Sequence, residues 1–419
     1  MIRKKLIPFF AAALVLAGVL ALAPRTTEAG SAGPDVTVFD LNGVRNWGAL
    51  GGVRAYSVGT VSCNIGDEPL WWCDHDTAYC EDDQHPVIAQ NLYRLKEGRF
   101  EQLGMSWLKH GFLSTNSSNS ECGDGSCANP PHGGDQLGVG CTDPYGSTLN
   151  GDRPLGMRSE VNATTGVLDP YPFTIVPSPL VIDQRIQVEE AELDPLLNPG
   201  ARYWVEGHYV AADDAGRGNG LNNASYREVS VNAASFNLGF VAPTVRQKAA
   251  IYAWQEVDPG VEIVNADTGA PAVERFHVAR RATPADGGSW HYEYAVHNLC
   301  SDRSARSLRI RFPTATAITG VGFHDVDHHS GEPYDTMDWQ ATTDADSVTW
   351  FTDTVDVDEN ANALRWGTMF SFWFDATAPP IGLEHTLTLF ENGVPETLEL
   401  GFDSGIFYDG FESGDTSAW

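Results

Sequence analysis

Short runs that alternate apolar and polar residues extend over most of this chain, and clusters of Gly, Pro, Asn and Asp separate them. Such a period-two pattern is typical of β-strands that bury one face. Beyond the first 29 residues no window keeps apolar residues convincingly at helical spacing, and the nearest approach, 244–257, is better interpreted as a strand. The pattern predicts an all-β protein made of two β-sandwich-like domains, with a disulfide-rich loop region in the first.

Two hairpins are the best-defined predicted elements. Residues 87–107 contain two alternating runs that meet at Lys96-Glu97-Gly98, where Gly98 supplies the positive φ of a short loop. Residues 275–280 and 290–296 form the second hairpin, across a turn-rich connection. Further strands are expected at 185–190, 203–211, 226–231, 236–241, 307–312, 319–326, 347–352, 364–374, 385–390 and 396–400. Alternate residues of one of these strands are expected to form a core-facing stripe: Leu364, Trp366, Thr368, Phe370, Phe372 and Phe374.

The chain is predicted to contain four segments. Residues 1–29 join a basic start to an apolar run and a small-residue cleavage site, which is the organisation of a secretory signal peptide, and Pro8 disfavours a membrane anchor. We place a disulfide-stapled β domain at 30–245, an acidic β-sandwich domain at 246–402 and a C-terminal tail at 403–419. The leader predicts export to the extracellular space, the cell surface or the periplasm.

The net charge of the chain limits the classes of molecule that it is expected to bind. It has 26 Lys+Arg against 56 Asp+Glu, a formal net charge of −30. Nucleic acid and anionic membrane are therefore excluded as main partners, because phosphates require Lys and Arg. Beyond the leader, no apolar stretch is long enough to span a bilayer.

Cysteine usage agrees with export. Six of the seven cysteines lie between Cys63 and Cys141, which indicates disulfides in an oxidising compartment. A zinc site is disfavoured because the chain has no Cys-x-x-Cys pair. We expect Cys300 to be a buried free thiol. The other six allow 15 pairings, which the sequence leaves open, and among them we favour Cys73–Cys80, Cys122–Cys127 and Cys63–Cys141.

The strongest chemical signal is acidic. Residues 312–419 hold 20 Asp+Glu and a single basic residue, Arg365. If 319–326 is a strand, Asp325 and Asp327 face one side and two histidines the other, which separates carboxylates suited to Ca²⁺ from imidazoles suited to Zn²⁺ or Cu²⁺. Ca²⁺ is the preferred ion, Cu or Zn is the alternative, and a solvated acidic loop is the third interpretation. The candidate metal ligands are Asp325, Asp327, Glu332, Asp335, Asp338, His324 and His328.

A second oxygen-rich loop contains Asp213-Asp214 and residues 219–223. There an Asx turn is at least as good an interpretation as a cation site, since Asn and Asp side chains bond readily to their own backbone.

The first domain holds candidate catalytic residues beside its hairpin. His85 and His110 stand just outside the two strand ends, so the hairpin is expected to bring them near each other. Lys109 is expected to depress the pKa of its neighbour His110, which keeps an imidazole neutral for metal binding or general-base work. The alternative is that these are structural histidines. The candidate set is His85, Lys109, His110 and His132.

Several stretches carry a resemblance to a known group of proteins. The first part of the chain resembles the first domain of exported bacterial all-β proteins of unassigned activity. The resemblance lies in segments 56–66, 85–112, 137–145 and 222–227, which contain the runs SCNIG, HPVIAQN and SWLKHGF. The second part is similar to the β-sandwich that accompanies that domain, in GFHDVD, residues 330–335 and NALRWGT. The final DGFESGD resembles a tail of many exported proteobacterial proteins. The resemblance implies export and β architecture, and it carries no catalytic residue.

Together these features favour an exported, non-enzymatic surface or extracellular protein that is structural or ligand-binding and is stabilised by Ca²⁺. Its expected partner is a cell-surface or matrix ligand. The alternative is a secreted metal-dependent hydrolase or oxidase with a histidine-lined site in the first domain. Common catalytic motifs such as Gly-x-Ser-x-Gly and His-Glu-x-x-His are absent from the sequence.

Overall fold

The computed structural model describes residues 31–151, 155–269 and 273–402. The predicted signal peptide and tail therefore lie outside the described residues. The first half contains the strands β1 (Val36–Leu50), β2 (Val53–Asn64), β3 (Leu70–Trp71), β4 (Val87–Lys96), β5 (Arg99–Met105), β6 (Lys109–His110), β7 (Ser117–Ser118), β8 (Gln136–Leu137), β9 (Cys141–Tyr145), β10 (Val161–Asn162), β11 (Val167–Leu168), β12 (Ile186–Glu189), β13 (Arg202–Val210), β14 (Ala224–Val231) and β15 (Leu238–Phe240).

The second half continues with shorter loops and longer antiparallel pairs. Its strands are β16 (Glu262–Asp267), β17 (Arg275–Pro284), β18 (Trp290–Asn298), β19 (Ala305–Arg311), β20 (Ile318–His324), β21 (Gln340–Thr343), β22 (Ser347–Phe351), β23 (Met369–Ala376), β24 (Glu384–Leu389) and β25 (Thr397–Glu399). Helices in the described residues are short: α1 (Glu190–Leu193), α2 (Ala212–Ala215), α3 (Tyr252–Val257) and 3₁₀ turns at Gly133–Asp135, Ser147–Gly151, Arg158–Glu160, Gly220–Asn222 and Asp286–Gly288.

The described residues form four large antiparallel sheets, which confirms the all-β prediction. Sheet I has the order β1-β2-β9-β7, with β12 also paired to β2, and sheet II has the order β15-β14-β13-β4-β5, with β6 paired to β4. Sheet III has the order β16-β17-β18-β23-β20 and sheet IV the order β21-β22-β19-β24-β25. Each sheet takes all its strands from one half of the chain; the domain boundary at 245 stays a prediction.

The four sheets stack as successive layers, because three hydrophobic clusters fill the gaps between them. One cluster joins sheets I and II, the second joins sheets II and III, and the third joins sheets III and IV. Strand β4 shows the pattern: Ile88 and Leu92 enter the first cluster, whereas Val87, Ala89 and Tyr93 enter the second. Sheet II is thus covered on both faces, which is why β4 is buried along nearly its whole length.

Both predicted hairpins are confirmed. The β4–β5 turn places Glu97 at φ 52° and Gly98 at φ 90°, the paired positive values that a two-residue hairpin turn requires. Strands β17 and β18 form the second hairpin and continue in register from Phe276↔Asn298 to Pro284↔Trp290.

Two strand predictions are wrong in their bounds. Residues 244–257 are not a strand: Gln247 has φ 61°, which ends the extended backbone, and α3 follows. Strand β20 ends at His324, so Asp325 lies beyond the strand that was expected to orient it.

The predicted aromatic stripe is also partly wrong. Gly367 has φ 69°, so the backbone turns there and β23 begins only at Met369. Phe370, Phe372 and Phe374 do share the cluster between sheets III and IV, whereas Trp366 packs into the cluster between sheets II and III.

Three disulfides lie in the described part of the first half, and two of the expected pairings are wrong. Cys73–Cys80 is confirmed, but the others are Cys63–Cys122 and Cys127–Cys141 instead of Cys122–Cys127 and Cys63–Cys141. The reason is register: Cys63 lies opposite Thr142, so Cys141 points to the other face of sheet I. Cys300 is a buried free thiol, as predicted.

Candidate functional site

A surface cavity of about 230 Å³, which we call the Trp71 groove, lies beside the Cys73–Cys80 loop. Trp71 is held by the β3–β8 pair, Asp213 by α2 and Leu168 by β11, while the Cys73–Cys80 disulfide constrains the segment before His85. The side chains that matter most for its chemistry are Trp71, Glu81, Asp83, His85, Leu168 and Asp213.

An aromatic stack adjoins the groove. The rings of Trp71, Tyr79 and His132 contact one another, with centroid distances of 5.5 Å for Trp71–His132, 3.9 Å for Tyr79–His132 and 6.3 Å for Trp71–Tyr79. The interplanar angles are 27°, 17° and 17°. The Tyr79 hydroxyl donates a hydrogen bond to Asp135 Oδ2 at 2.7 Å, which fixes the position of the Tyr79 ring. The faces of such rings are electron-rich and attract cations.

Three carboxylates line the groove beside Trp71. Asp213 Oδ2 accepts a hydrogen bond from the backbone N of Trp71 at 2.9 Å, and burial raises the pKa of Asp213 to about 6. Glu81 and Asp83 come from the neighbouring loop. Residues 55–93 contain seven Asp+Glu and no Lys or Arg, so the loop brings negative charge to the groove without a basic residue of its own.

The hairpin brings His85 and His110 together, as the sequence predicts. His85 Nε2 and His110 Nδ1 are 2.6 Å apart, and His85 Nδ1 donates to the Cys73 carbonyl at 2.9 Å. His85 therefore accepts at Nε2 from His110, and both of its ring nitrogens are bonded. His110 Nε2 has no hydrogen-bond partner in the described residues and packs against Gly156 and the Phe173 ring, whose centroid lies 4.0 Å away.

Burial keeps both imidazoles neutral. It lowers the pKa of His85 to about 4. The pKa of His110 is lowered well below its usual value, first by burial, then by the charge of His85 and last by Lys109. The Lys109 ammonium donates to the Leu149 carbonyl at 2.7 Å, so its direct contact is with that loop.

The predicted metal ligands are dispersed. Glu332 accepts hydrogen bonds from Arg158 N at 2.7 Å and from Ser159 Oγ at 2.5 Å, and so holds two segments of the chain together. The ring of His324 lies 3.2 Å from the Gln102 carbonyl. His328 is buried with neither ring nitrogen hydrogen-bonded to any described residue.

The structure does bring part of the acidic set together. Asp325 accepts from Asn362 Nδ2 at 2.5 Å, and burial, followed by the charges of Asp338 and Asp327, raises its pKa to about 6. Asp335 instead accepts from the Met337 backbone N at 2.8 Å. Within 31–151, 155–269 and 273–402 no group of three His, Cys, Asp or Glu side chains is arranged to hold a metal ion. The Ca²⁺, Cu and Zn assignments stay predictions.

Sequence reasoning missed Trp71, Tyr79 and Asp213 as site residues. A signal was present, because Trp71-Trp72 stands inside a long acidic stretch, residues 55–93, that is free of Lys and Arg. Asp213 is distant in sequence and joins the groove only through the fold.

Fold and site together define an all-β protein with a disulfide-linked first half and an acid-lined aromatic groove. None of its described helices has the length and apolar character to cross a bilayer. No family model matches the chain, and no curated protein matches it. Among solved structures, it is similar to the N-terminal domain of the Streptococcus gordonii adhesin Sgo0707, with 8% identity and a TM-score of 0.19. The alignment covers 83% of this chain and 61% of that one, and a similarity this low carries no inference about function.

Proposed function

We propose that this protein is an exported, non-enzymatic binding protein and that its Trp71 groove receives a positively charged group of its ligand. The observation that carries the proposal is the combination of the Trp71 ring with Glu81, Asp83 and Asp213 at one cavity. A cation over a Trp ring gains about 0.5–2 kcal/mol, and carboxylates at the rim add attraction and steering.

The size of the cavity supports a small cationic group. A volume of about 230 Å³ accommodates a quaternary ammonium group or the end of a Lys or Arg side chain. The apolar Leu168 and the Trp71 ring remove water from such a group, which strengthens each electrostatic contact.

The histidine pair supports binding over catalysis. A general base must present a ring nitrogen to its substrate. Both nitrogens of His85 are already bonded, and the free nitrogen of His110 faces Gly156 and Phe173. The alternative of a metal-dependent hydrolase or oxidase therefore has no available base at this position.

Export is supported by the disulfides. Cys63–Cys122, Cys73–Cys80 and Cys127–Cys141 are typical of proteins that fold in an oxidising compartment. Together with the predicted signal peptide they make an extracellular, cell-surface or periplasmic site of action part of the proposal.

The test compares choline with dimethylbutanol, its uncharged carbon isostere, by isothermal titration calorimetry on the purified exported protein. We expect choline to bind and dimethylbutanol to bind at least about tenfold more weakly, a difference of about 1.4 kcal/mol. Trp71→Ala should remove choline binding, while Trp290→Ala in the second half should leave it unchanged.

Two further measurements complete the design. Added NaCl should weaken choline binding, because rim carboxylates are screened. His110→Phe should lower stability, by about 1–3 kcal/mol for the unpaired His85 nitrogen, and leave the affinity for choline intact. Equal affinity for the two probes, or no choline binding at all, contradicts the proposal.

A further inference from the structure

We propose a Ca²⁺ site built from Asp35, Asp214, Asn222 and Asn223, at the start of β1. It is separate from the acidic residues 324–338 and from the ligand proposed for the Trp71 groove. Asp35 immediately precedes β1, Asp214 lies in α2, Asn222 ends a 3₁₀ turn and Asn223 directly precedes β14. The fold thus brings together residues that are about 180 positions apart in the sequence.

Hydrogen bonds join the four side chains in two pairs that meet at the start of β1. Asp214 Oδ1 accepts from the Val36 backbone N at 3.0 Å, next to Asp35. Asn223 Nδ2 donates to Asp214 Oδ2 at 2.7 Å, and Asn222 Nδ2 donates to Asp35 Oδ2 at 3.3 Å. Both amides therefore point at a carboxylate of the same cluster.

Three oxygens of this cluster lack partners. Asp35 Oδ1, Asn222 Oδ1 and Asn223 Oδ1 are buried and accept no hydrogen bond from any described residue. Asp35 and Asp214 are 0% exposed and Asn223 is 1% exposed. A buried acceptor without a partner is costly, so the unpaired carboxylate oxygen of Asp35 indicates a missing electrophile beside it.

The carboxylates also lack a basic counter-ion. Burial raises the pKa of Asp35 and, with the charge of Asp35, raises that of Asp214 well above its usual value. Neither carboxylate forms an ion pair in the described parts of the chain, and the nearby Arg217 pairs instead with Glu68 at 3.2 Å. Two buried carboxylates side by side are stable when a cation lies between them.

The donor set selects the type of cation. It consists of oxygens only, from two carboxylates and two amides, without His or Cys, which suits a hard ion and excludes soft metals. Rotation of each amide by half a turn exchanges N for O and aims its oxygen at the ion. Ca²⁺ tolerates such a mixed, irregular set and completes it with water or backbone carbonyls, whereas Mg²⁺ demands a near-octahedral cage.

A Ca²⁺ ion bound at this site would link the segment before β1 to the wall of the Trp71 groove. The ion would tie the segment before β1 to α2, whose Asp213 holds the Trp71 backbone. Because it binds only the folded cluster, Ca²⁺ should raise the melting temperature of the protein.

The test uses calorimetric titration of Ca²⁺ into the EDTA-treated, exported full chain, together with thermal melting with and without Ca²⁺. We expect one Ca²⁺ to bind, and Asp35→Asn to weaken that binding at least about tenfold. In EDTA, Asp35→Asn should melt no lower than the wild type, because it removes an uncompensated buried charge. A purely structural carboxylate would lower the melting temperature under both conditions.

Two further variants test whether Ca²⁺ binding depends on this particular site. Asp143→Asn also changes a buried carboxylate of the first half, one that bonds Thr115, and should retain Ca²⁺ binding. Asn222→Ala removes one half-buried ligand and should weaken binding even if Asp35→Asn fails to fold. No binding at millimolar Ca²⁺ overturns the proposal, as does binding that survives Asp35→Asn and Asn222→Ala but is lost in Asp325→Asn.

Discussion

At the scale of single residues, buried histidines make the stability of the folded protein depend on pH. His297 of β18 is 1% exposed, and neither ring nitrogen has a hydrogen-bond partner among the described residues. Burial lowers its pKa to about 3. The unfolded chain protonates this imidazole below about pH 6.5 while the folded protein keeps it neutral, so acid favours unfolding between these two values.

We therefore expect His297→Phe to become progressively more stable than the wild type as the pH falls from 6.5 towards 4. The difference in the free energy of unfolding should grow by about 1 kcal/mol per pH unit. Urea denaturation at a series of pH values measures it. His75→Phe is the control, because His75 is exposed and Asp74 raises its pKa, and it should show no such gain. A constant difference at every pH contradicts this account.

At the scale of elements, a hairpin with regular strands could be predicted from the sequence, whereas a hairpin with a long irregular strand could not. The β4–β5 hairpin was predicted because its alternation is clean and Gly98 marks its turn. The β1–β2 hairpin was missed although Gly51-Gly52 forms its tip. Three register shifts in β1 interrupt the alternation on which the prediction depends.

The β4–β5 turn depends on the positive φ of Gly98. Gly98 has φ 90° and open space where a Cβ would lie, so Gly98→Ala should cost about 1–2 kcal/mol through the backbone alone. Gly401 also has open space but no positive φ, so Gly401→Ala should change stability little. Chemical denaturation of the two variants decides the point, and equal effects would refute it.

The disulfides differ in the loops that they close. Cys63–Cys122 spans 59 residues and Cys73–Cys80 spans 7. In the chain-entropy account, loss of the longer link by the double Cys→Ser change costs about 4 kcal/mol and loss of the shorter about 2 kcal/mol. Denaturation of the two double variants measures the difference, and peptide mapping without reduction verifies the pairing. A larger loss from the short loop contradicts the expectation.

At the scale of the whole molecule, polar groups hold the two inner sheets together. Arg158 is buried and donates to the Ser106 and Gly367 carbonyls at 2.9 Å and to Asn91 Oδ1 at 2.8 Å. Arg99 pairs with Glu293 through two bonds of 2.8 Å. The Arg158–Gly367 and Arg99–Glu293 contacts join the first and second halves of the chain.

We expect Arg158→Met to cost about 3 kcal/mol or more, because it leaves several buried acceptors unpaired. Arg309→Met, at an exposed position of sheet IV, should have little effect. Thermal melting followed by near-ultraviolet and far-ultraviolet circular dichroism should show one shared transition for the wild type, since a common cluster joins both halves. Two separate wild-type transitions would contradict a shared core.

The sequence predicted the sheets but not their stacking. Gln90 and Asn91 point to opposite faces of β4 and are both 0% exposed, although polar residues of a strand are expected to face solvent. Their partners come from distant segments, since Gln90 Oε1 accepts from Val58 N and Asn91 bonds Glu206. Periodicity reports one strand at a time, so neither this polar interior nor the assembly of the Trp71 groove could be derived from it.

The stacking has a consequence for the order of synthesis. Strands β4, β13 and β14 leave the ribosome well before β18 and β23, so the face that carries Val87, Tyr93 and Trp204 has no cover at first. At ordinary elongation rates this interval lasts roughly ten to thirty seconds. During synthesis one of the two innermost sheets, sheet II, therefore keeps an apolar face exposed to water until the second half of the chain has been made, and this face is open to aggregation in that interval.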